Sequence, residues 1–146
     1  MDAVVHQIKT NSSLYEKSLI IRNDVLRKPL NLNIYDEDLS DEKDQIHFVL
    51  EKDNQILGTV SLVPYYKKNT GKLRQMVTST EARGKGYGQI LVQELEKYAS
   101  NNFMKTIVLH ARHHAIGFYQ KLGYAICSEP FEEVGIKHVI MQKELH

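Results

Sequence analysis

The segment EARGKGYGQI, residues 81–90, combines three glycines and two cations within six positions. Glycine permits positive φ and carries no side chain that would keep a ligand away from the main chain. If a helix starts here, its first N–H groups lack partners and the peptide dipoles favour an anion at that end. Arg83 and Lys85 add positive charge to the same turn. The segment therefore predicts a phosphate-binding site, although a turn whose glycines serve only steric needs explains it equally well at this point.

Two familiar phosphate-binding motifs do not fit this turn. A P-loop ends in Gly-Lys-Ser/Thr, whereas Gly86 is followed by Tyr87 and Gly88. A dinucleotide fingerprint has a third glycine where this chain has Gln89, and no Asp or Glu ends the next apolar segment to hold a ribose. Residues outside the turn must therefore identify the ligand.

The turn lies between a predicted strand and a predicted helix. KLRQMVTS (72–79) has strand character, and QILVQELEKYAS (89–100) has apolar residues on one side at helical spacing. The β-branched segment KTIVLHA (105–111) predicts the next strand. The centre of the chain is thus a unit of strand, glycine turn, helix and strand.

The other segments also alternate between strand and helix. The predicted elements are a strand at 3–9, a helix from a capping box at Ser13 and Glu16 to Pro29, a hairpin of 46–51 with 55–66, a short helix at 115–124 closed by Gly123, and final strands at 124–128 and 137–145. The acidic stretch YDEDLSDEKD (35–44) is expected to be an exposed loop. The pattern predicts a mixed α/β fold in a single domain of residues 1–146.

Composition disfavours several classes of protein. Of the 146 residues, 42% are hydrophobic and 25% charged, which is ordinary for a soluble globular protein. The 19 Lys and Arg balance 18 Asp and Glu, so no overall field attracts nucleic acid or an anionic membrane. No apolar run approaches the ~20 residues that cross a bilayer, and the first residues lack the apolar stretch of a signal peptide. We therefore expect a cytoplasmic protein without a nucleic-acid or membrane partner.

The single cysteine and the histidine-rich segment give no strong sign of a metal site. Cys127 has no thiolate-stabilising neighbour in the sequence and is expected to be a small buried hydrophobe. The segment HARHH contains His110, His113 and His114, but the end of a strand and the start of a helix give them no shared face. No metal is expected.

Two motifs resemble the GNAT superfamily of N-acetyltransferases. LRQMVTSTEARGKGYGQILVQELEKYA matches the family motif Arg/Gln-x-x-Gly-x-Gly/Ala, here with Arg83, Gly86 and Gly88. Downstream, ARHHAIGFYQKLGYAI is similar to the family's A-x-x-F-Y-x-x-L-G-F/Y helix and strand. The two motifs, in this order and at this spacing, cover about residues 46–128. The flanks VLRKPLNL and EPFEEVGIKHVIMQKEL resemble a bacterial ElaA-like subgroup of small GNAT proteins.

The resemblance implies a central, mostly antiparallel twisted sheet flanked by helices, with acetyl-CoA as the cosubstrate. By resemblance, the main chain of the glycine turn holds the pyrophosphate, and a strand holds the pantetheine arm by main-chain hydrogen bonds. A bulge near Met76 would turn an N–H group towards the thioester oxygen. The implied cofactor-binding residues are Met76, Val77, Thr78, Arg83, Gly84, Lys85, Gly86, Tyr87 and Gly88.

The resemblance also implies direct transfer of the acetyl group to an amine in a ternary complex. Tyr119 occupies the family position of the acid that protonates the departing thiolate. A protonated amine also needs a base. The candidates, each with a structural or solvated role as the alternative, are His47, His110, Glu132, Glu133 and His138. His138, in the subgroup-like GIKHVIM, is the preferred base, and the family often has Asn where this chain offers His110 or Arg112.

A second interpretation is a non-catalytic module that binds acyl-CoA as a sensor or partner subunit. Tyr119 favours the enzyme, because a sensor does not need an acid beside the sulfur. The sequence leaves the acceptor open between small-molecule and peptide amines, with Arg22, Arg27 and Arg74 as candidates to pair with a substrate carboxylate. It also leaves open whether an exposed sheet edge joins two copies into a homodimer.

Overall fold

The computed structural model describes residues 3–146, in which eight strands form one sheet. The strands are β1 (Val4–Ile8), β2 (Ile46–Lys52), β3 (Gln55–Lys67), β4 (Thr70–Thr78), β5 (Thr106–Arg112), β6 (Ala125–Ile126), β7 (Phe131–Glu133) and β8 (Ile136–Glu144). The helices are α1 (Ser13–Arg22), α2 (Tyr87–Asn101) and α3 (Ile116–Lys121). The strand order is β1-β2-β3-β4-β5-β8-β6, with β7 paired to β8. Of these pairs, β4 with β5 is parallel and the others are antiparallel, which confirms the predicted mixed α/β fold with a mostly antiparallel sheet.

The parallel strands β4 and β5 separate part-way along their length. Residues 70–73 of β4 pair with residues 106–109 of β5, and the pairing ends there. On its other side β4 stays paired with β3, but the register shifts between the β3 residues Thr59 and Ser61. This bulge adds one residue to β4 and bends the strand. Residues 74–78 therefore keep one main-chain edge without a strand partner.

Gln75 lies in this bulge, next to the position where the sequence analysis expected one. Its φ is 57°, in the left-handed region that residues other than glycine rarely adopt. Its Oε1 accepts a hydrogen bond from Nη2 of Arg27 at 3.2 Å, which ties the bulge to the segment after α1. Backbone strain of this kind is common at functional sites.

Helices cover both faces of the sheet. The larger core, between α2 and the sheet, includes Leu62, Leu73, Leu91, Leu95 and Ile107. The smaller core, between α1 and the sheet, includes Ile8, Tyr15, Leu19, Ile34 and Val49. Strand β2 contributes Phe48 to the first core and Val49 to the second, because successive side chains of a strand point to opposite faces. Within residues 3–146, the helices are too short or too polar to cross a bilayer.

The first helix differs from its predicted form at both ends. Its N-cap is Ser12, whose Oγ accepts a hydrogen bond from the Tyr15 N–H at 3.2 Å, so the predicted capping box at Ser13 is wrong by one residue. Beyond the last residue of α1 the chain continues as a wider π turn (Asn23–Arg27). A 3-10 turn that contains Pro29 follows and ends the helical path.

Three predicted environments are wrong. Glu42, expected in an exposed acidic loop, is only 2% exposed, because buried polar groups surround it. Cys127, expected to be buried, is exposed. Glu132 and Glu133, which lie between the two predicted final strands at 124–128 and 137–145, form part of a further strand, β7, which pairs with β8. The error at Glu42 reflects distant partners that the local sequence pattern does not show.

Candidate active site

The N-terminus of α2 is an open glycine turn. Gly86 is the N-cap with φ of 79°, and Gly84 has φ of 81°. A Cβ built on either glycine would meet no heavy atom within 4 Å, so the space beside this main chain is free. Among residues 3–146 no side chain caps this helix, and the first N–H groups of a helix have no partner within the helix. Arg83 and Lys85 are exposed here, and no carboxylate of the described chain lies within 4 Å of either cation.

Gly88 has a different role from the other glycines of the turn. A Cβ at this position would lie 3.0 Å from Cζ of Phe118 and 3.1 Å from Cε of Met76. Such contacts are tighter than packed side chains normally make. The structure therefore gives Gly88 a packing function, which brings the start of α2 close to α3 and to β4, while Tyr87 beside it is half-buried.

The three predicted strand residues lie on the part of β4 that has left β5. Met76 lines a cavity, whereas the side chain of Val77 is 4% exposed and belongs to the core. Thr78 pairs with Gly58 of β3 on one side only. The other main-chain edge of this segment fits a chain of amides, which binds as an added strand would. At its end, Ser79 has a buried Oγ without a hydrogen-bond partner among the described residues.

A cavity of about 350 Å³ lies where β4 and β5 separate. Met76, Tyr119 and His138, which come from three distant parts of the sequence, all line it. Its wall also contains Arg27, Lys72, Arg74, His110, Arg112 and Glu133. The structure thus brings the predicted acid and the predicted base to one cavity.

Tyr119 packs against aromatic neighbours, and within residues 3–146 its hydroxyl has no hydrogen-bond partner. The residue is 6% exposed, and its ring makes edge contacts with Phe118 and Tyr124 at centroid distances of 5.0 and 5.7 Å. Burial alone raises the pKa of Tyr119 above its ordinary value. The phenol therefore stays protonated at neutral pH, as a proton donor must.

His138 presents one ring nitrogen as an acceptor. Its Nδ1 lies 2.8 Å from the carbonyl oxygen of Ile136, and because a carbonyl only accepts, Nδ1 carries the proton. In neutral His138, Nε2 is therefore the unprotonated nitrogen. Glu133 lies close by, with Oε2 3.7 Å from this Nε2 and Oε1 3.0 Å from Nδ1 of His110. His138 thus has an unprotonated ring nitrogen beside a carboxylate, the arrangement that the predicted role of base requires.

Glu133 carries its negative charge in this group. Burial acts to raise its pKa, but the hydrogen bond and the charge of His110, together with His138 and Lys72, outweigh burial and lower the pKa. The cavity wall therefore contains an ionised carboxylate 3.7 Å from Nε2 of His138.

The structure separates His47 and Glu132 from the other candidate bases. Both ring nitrogens of His47 are engaged, Nδ1 with Oγ of Ser61 and Nε2 with the carbonyl oxygen of Glu42, each at 2.7 Å. Burial lowers the pKa of His47, which fits a structural histidine. Glu132 is exposed and lies opposite Lys137 on β8.

The strand pairings explain why so many polar side chains meet here. Lys72 of β4 pairs with Val108 of β5, and Arg112 pairs with His138 of β8. Because alternate residues of a strand share a face, Lys72, Arg74, His110, Arg112 and His138 lie on the same face of the sheet. Sequence analysis did not assign Lys72 to the site. Polar and apolar residues alternate in KLR (72–74) and in LHAR (109–112), which indicates that the polar side chains of each strand share a face. That pattern identifies a common site only once β4 and β5 are known to be neighbours.

The histidine-rich segment does not assemble a metal site in the described chain. Within residues 3–146 no group of three His, Cys, Asp or Glu side chains is placed to hold a metal ion. His114 lines the cavity, while His113 is exposed.

Comparison with known proteins identifies relatives over nearly the whole chain. The model of an acetyltransferase (GNAT) domain matches residues 22–145. The uncharacterized protein YyaT of Bacillus subtilis (strain 168) is 35% identical over 148 residues, covering 97% of this chain and 95% of that protein. The crystal structure of Escherichia coli ElaA is similar with a TM-score of 0.84 and 21% identity, covering 98% of this chain and 100% of that one. A GNAT family acetyltransferase from Elizabethkingia anophelis with acetyl-CoA bound has a TM-score of 0.71 and 18% identity, covering 98% of each chain.

These matches confirm the resemblance drawn from the two motifs. The structural likenesses bear on the fold, and ElaA is among the proteins that share it. The family model spans most of the chain, and YyaT is matched along nearly its full length. The chain belongs to the GNAT acetyltransferase family.

Proposed function

We propose that this protein is an N-acetyltransferase that moves an acetyl group from acetyl-CoA to a primary amine. The observation that carries the proposal is the cavity between β4 and β5, which adjoins an unpaired main-chain edge and is lined by Tyr119 and His138. Membership of the GNAT family supports an acyl-CoA as the donor.

The residues present fit acetyl-CoA at two places. At the start of α2, the open turn from Arg83 to Gly88 would hold the pyrophosphate through main-chain N–H groups, with Arg83 and Lys85 as additional cations. Along β4, the free edge of Met76, Val77 and Thr78 would hold the pantetheine amides.

The chain's own residues supply the proton transfers. Acetyl-CoA, when bound, provides a thioester that is already activated. Nε2 of His138 accepts the proton that the attacking amine must lose, and the hydroxyl of Tyr119 donates a proton to the departing sulfur. In total one N–C bond forms and one C–S bond breaks. Of the two protons that the ammonium form of the acceptor loses, one ends on the thiol and the other passes to solvent.

A non-catalytic acyl-CoA sensor is the second candidate. The hydroxyl of Tyr119 favours the enzyme. It is buried without a hydrogen bond to another described residue, so it adds no stability that the ring of a phenylalanine would not supply. The cytoplasmic location and the homodimer stay predictions, as does the limit of the domain at residues 1–146.

Thermal unfolding with four nucleotides tests the proposed donor. Acetyl-CoA and CoA should raise the unfolding midpoint, whereas NAD and GTP at equal excess should not, because only a ligand of the folded state stabilises it. Release of CoA thiol with a pool of primary amines should then occur with the wild-type protein. A shift with NAD or GTP alone would refute the donor, and binding of acetyl-CoA without turnover of any amine would favour the sensor.

A further inference from the structure

The wall of the cavity carries more positive than negative charge. Its permanent cations are Arg27, Lys72, Arg74 and Arg112, and its one carboxylate is Glu133. The whole chain is close to neutral, with 19 Lys and Arg against 18 Asp and Glu. The excess is therefore local, and it lies at the place where we put the amine acceptor.

Two of these arginines already have carboxylate partners. Nε of Arg27 donates to Glu37 at 2.5 Å. Arg74 donates to Oε2 of Glu42 at 3.2 Å, but Glu42 also accepts two hydrogen bonds from Arg22. One carboxylate thus faces two guanidinium groups, and one positive charge at this side of the cavity stays unbalanced.

Arg112 and Lys72 have no carboxylate partner in the described chain. Nη2 of Arg112 donates to the carbonyl oxygen of Leu26 at 3.1 Å, and within residues 3–146 no carboxylate oxygen lies within 4 Å of Arg112 or Lys72. The guanidinium of Arg112 is half-buried, and a guanidinium has five N–H donors. Removing an unpaired guanidinium partly from water costs free energy, and an anion that accepts hydrogen bonds from its free N–H groups offsets this cost. Nζ of Lys72 lies 5.1 Å from the centre of the Tyr66 ring, a cation–π contact. Its charge also acts on Glu133 across the same face, so Lys72 contributes to the positive field of the cavity.

An anion bound by Arg112 would lie close to the base that we propose, His138. Arg112 and His138 are directly opposite one another in the pairing of β5 with β8. Side chains of such pairs start about 5 Å apart. A small molecule whose amine lies at Nε2 of His138 is therefore in the same part of the cavity as Arg112, and this proximity favours an acceptor that carries an anion close to its amine.

We propose that the acceptor is a small amino acid or a similar amino carboxylate, with Arg112 binding the carboxylate and Lys72 adding charge. The planar fork of an arginine matches a carboxylate, and about 350 Å³ suits a small molecule that shares the cavity with the thioester end of the donor. The same cations disfavour polycationic amines. This inference rests on the proposed function, because it names the substrate class of the same site.

Matched substrate pairs test the inference. The assay measures release of CoA thiol from acetyl-CoA with α-, β- and γ-amino acids and with the carboxamide of each one. With the wild-type protein, at least one amino acid should be acetylated with kcat/KM at least tenfold above that of its carboxamide. Arg112→Gln should remove this preference, chiefly by raising KM for the carboxylate. Lys97→Gln removes the same charge from the exposed side of α2 and should keep the preference.

Each other outcome counts against the inference. Equal turnover of the carboxamides, turnover of no amino acid, or a preference retained in Arg112→Gln would overturn it. The comparison of pairs within the wild-type protein does not depend on the folding of any variant. Thermal stabilisation by acetyl-CoA, measured in the same samples, separates the two proposals. If acetyl-CoA stabilises the protein but no amino acid is preferred over its carboxamide, only the substrate class is overturned. If acetyl-CoA does not stabilise the protein, the proposed function fails.

Discussion

Arg22 and Glu42, twenty positions apart in the chain, form a buried ion pair through two hydrogen bonds of 2.7 and 2.6 Å. The hydroxyl of Tyr15 donates to the same carboxylate at 2.6 Å, and Arg74 of the cavity wall donates at 3.2 Å. This group joins α1, the acidic segment and β4. The side of the cavity that we assign to the acceptor thus depends on one buried carboxylate.

Replacement of Glu42 by glutamine should strongly destabilise the protein. The substitution leaves Arg22 buried without a counter-charge, and breaking one partner of a buried pair costs about 3–5 kcal/mol. Urea unfolding measures the loss. Asp41→Asn is the matched control, because Asp41 is exposed next to it and should change the free energy of unfolding by less than about 0.5 kcal/mol. Equal effects of the two substitutions would mean that the pair does not stabilise the fold.

The same carboxylate predicts a pH dependence of stability. Burial acts to raise the pKa of Glu42, but Arg22, with Tyr15 and Arg74, outweighs burial and lowers that pKa from 4.5 to about 2. A pKa lowered in the folded state gives stability that is complete above pH ~5 and is lost as the pH falls towards 2. The difference in free energy of unfolding between wild type and Glu42→Gln should therefore shrink over this range. A difference that stays constant down to pH 2 would contradict the assignment.

Gly86→Ala should weaken binding of acetyl-CoA about tenfold or more, because a Cβ would enter the open space beside the uncapped N–H groups of α2. It should also destabilise the fold by about 1–2 kcal/mol through its positive φ. Gly135→Ala controls for strain: Gly135 has φ of 75° and equally open surroundings, but lies in the turn between β7 and β8. Titration calorimetry should find weak binding only in Gly86→Ala. Similar losses in both variants would assign the effect to strain.

Tyr119→Phe should lower kcat about a hundredfold with little change in stability or in KM for acetyl-CoA, because the hydroxyl serves the reaction and not the fold. The neighbouring Tyr124 gives the opposite control. Its hydroxyl donates to Oε2 of Glu96 at 2.8 Å, so Tyr124→Phe should cost about 1 kcal/mol of stability and keep kcat. Steady-state kinetics and thermal unfolding of both variants make the comparison. An unchanged kcat in Tyr119→Phe would remove the proposed acid.

His138→Gln should lower kcat/KM about a hundredfold at pH 7. Activity should recover as the pH rises towards the pKa of the free amine, which is about 8 for an α-amino group and about 10.4 for a lysine-type amine. The recovery is the expected sign of a lost base, because an amine that is already neutral needs none. A pH series of kcat/KM from 6 to 10 measures it. His110→Gln serves as the comparison, because His110 also lines the cavity. Its Nδ1 faces the carboxylate of Glu133, which leaves its Nε2 as a second candidate acceptor. A larger loss in His110→Gln would move the role of base to His110.

Where the sequence was sufficient, the signal was local. The glycine turn before α2, the hairpin of β2 and β3, and the motif around Tyr119 each occupy one short segment, so spacing and residue type identify them. Where it was wrong, the decisive contact was distant. The sequence predicted an exposed position for Glu42, because its partners Arg22 and Arg74 are distant in the chain.

The sequence by itself determined the family, the mixed α/β fold and the turn proposed to hold the donor, because these follow from short motifs and periodic patterns. Only the tertiary structure brought Tyr119 and His138 to one cavity and placed Arg112 opposite His138. The physical reason is that parallel pairing of β4 with β5, followed by the bulge at Gln75, opens the sheet at one point. Side chains from β4, β5, β7 and β8 meet at that opening. No local pattern in the sequence predicts which strands become neighbours in the sheet.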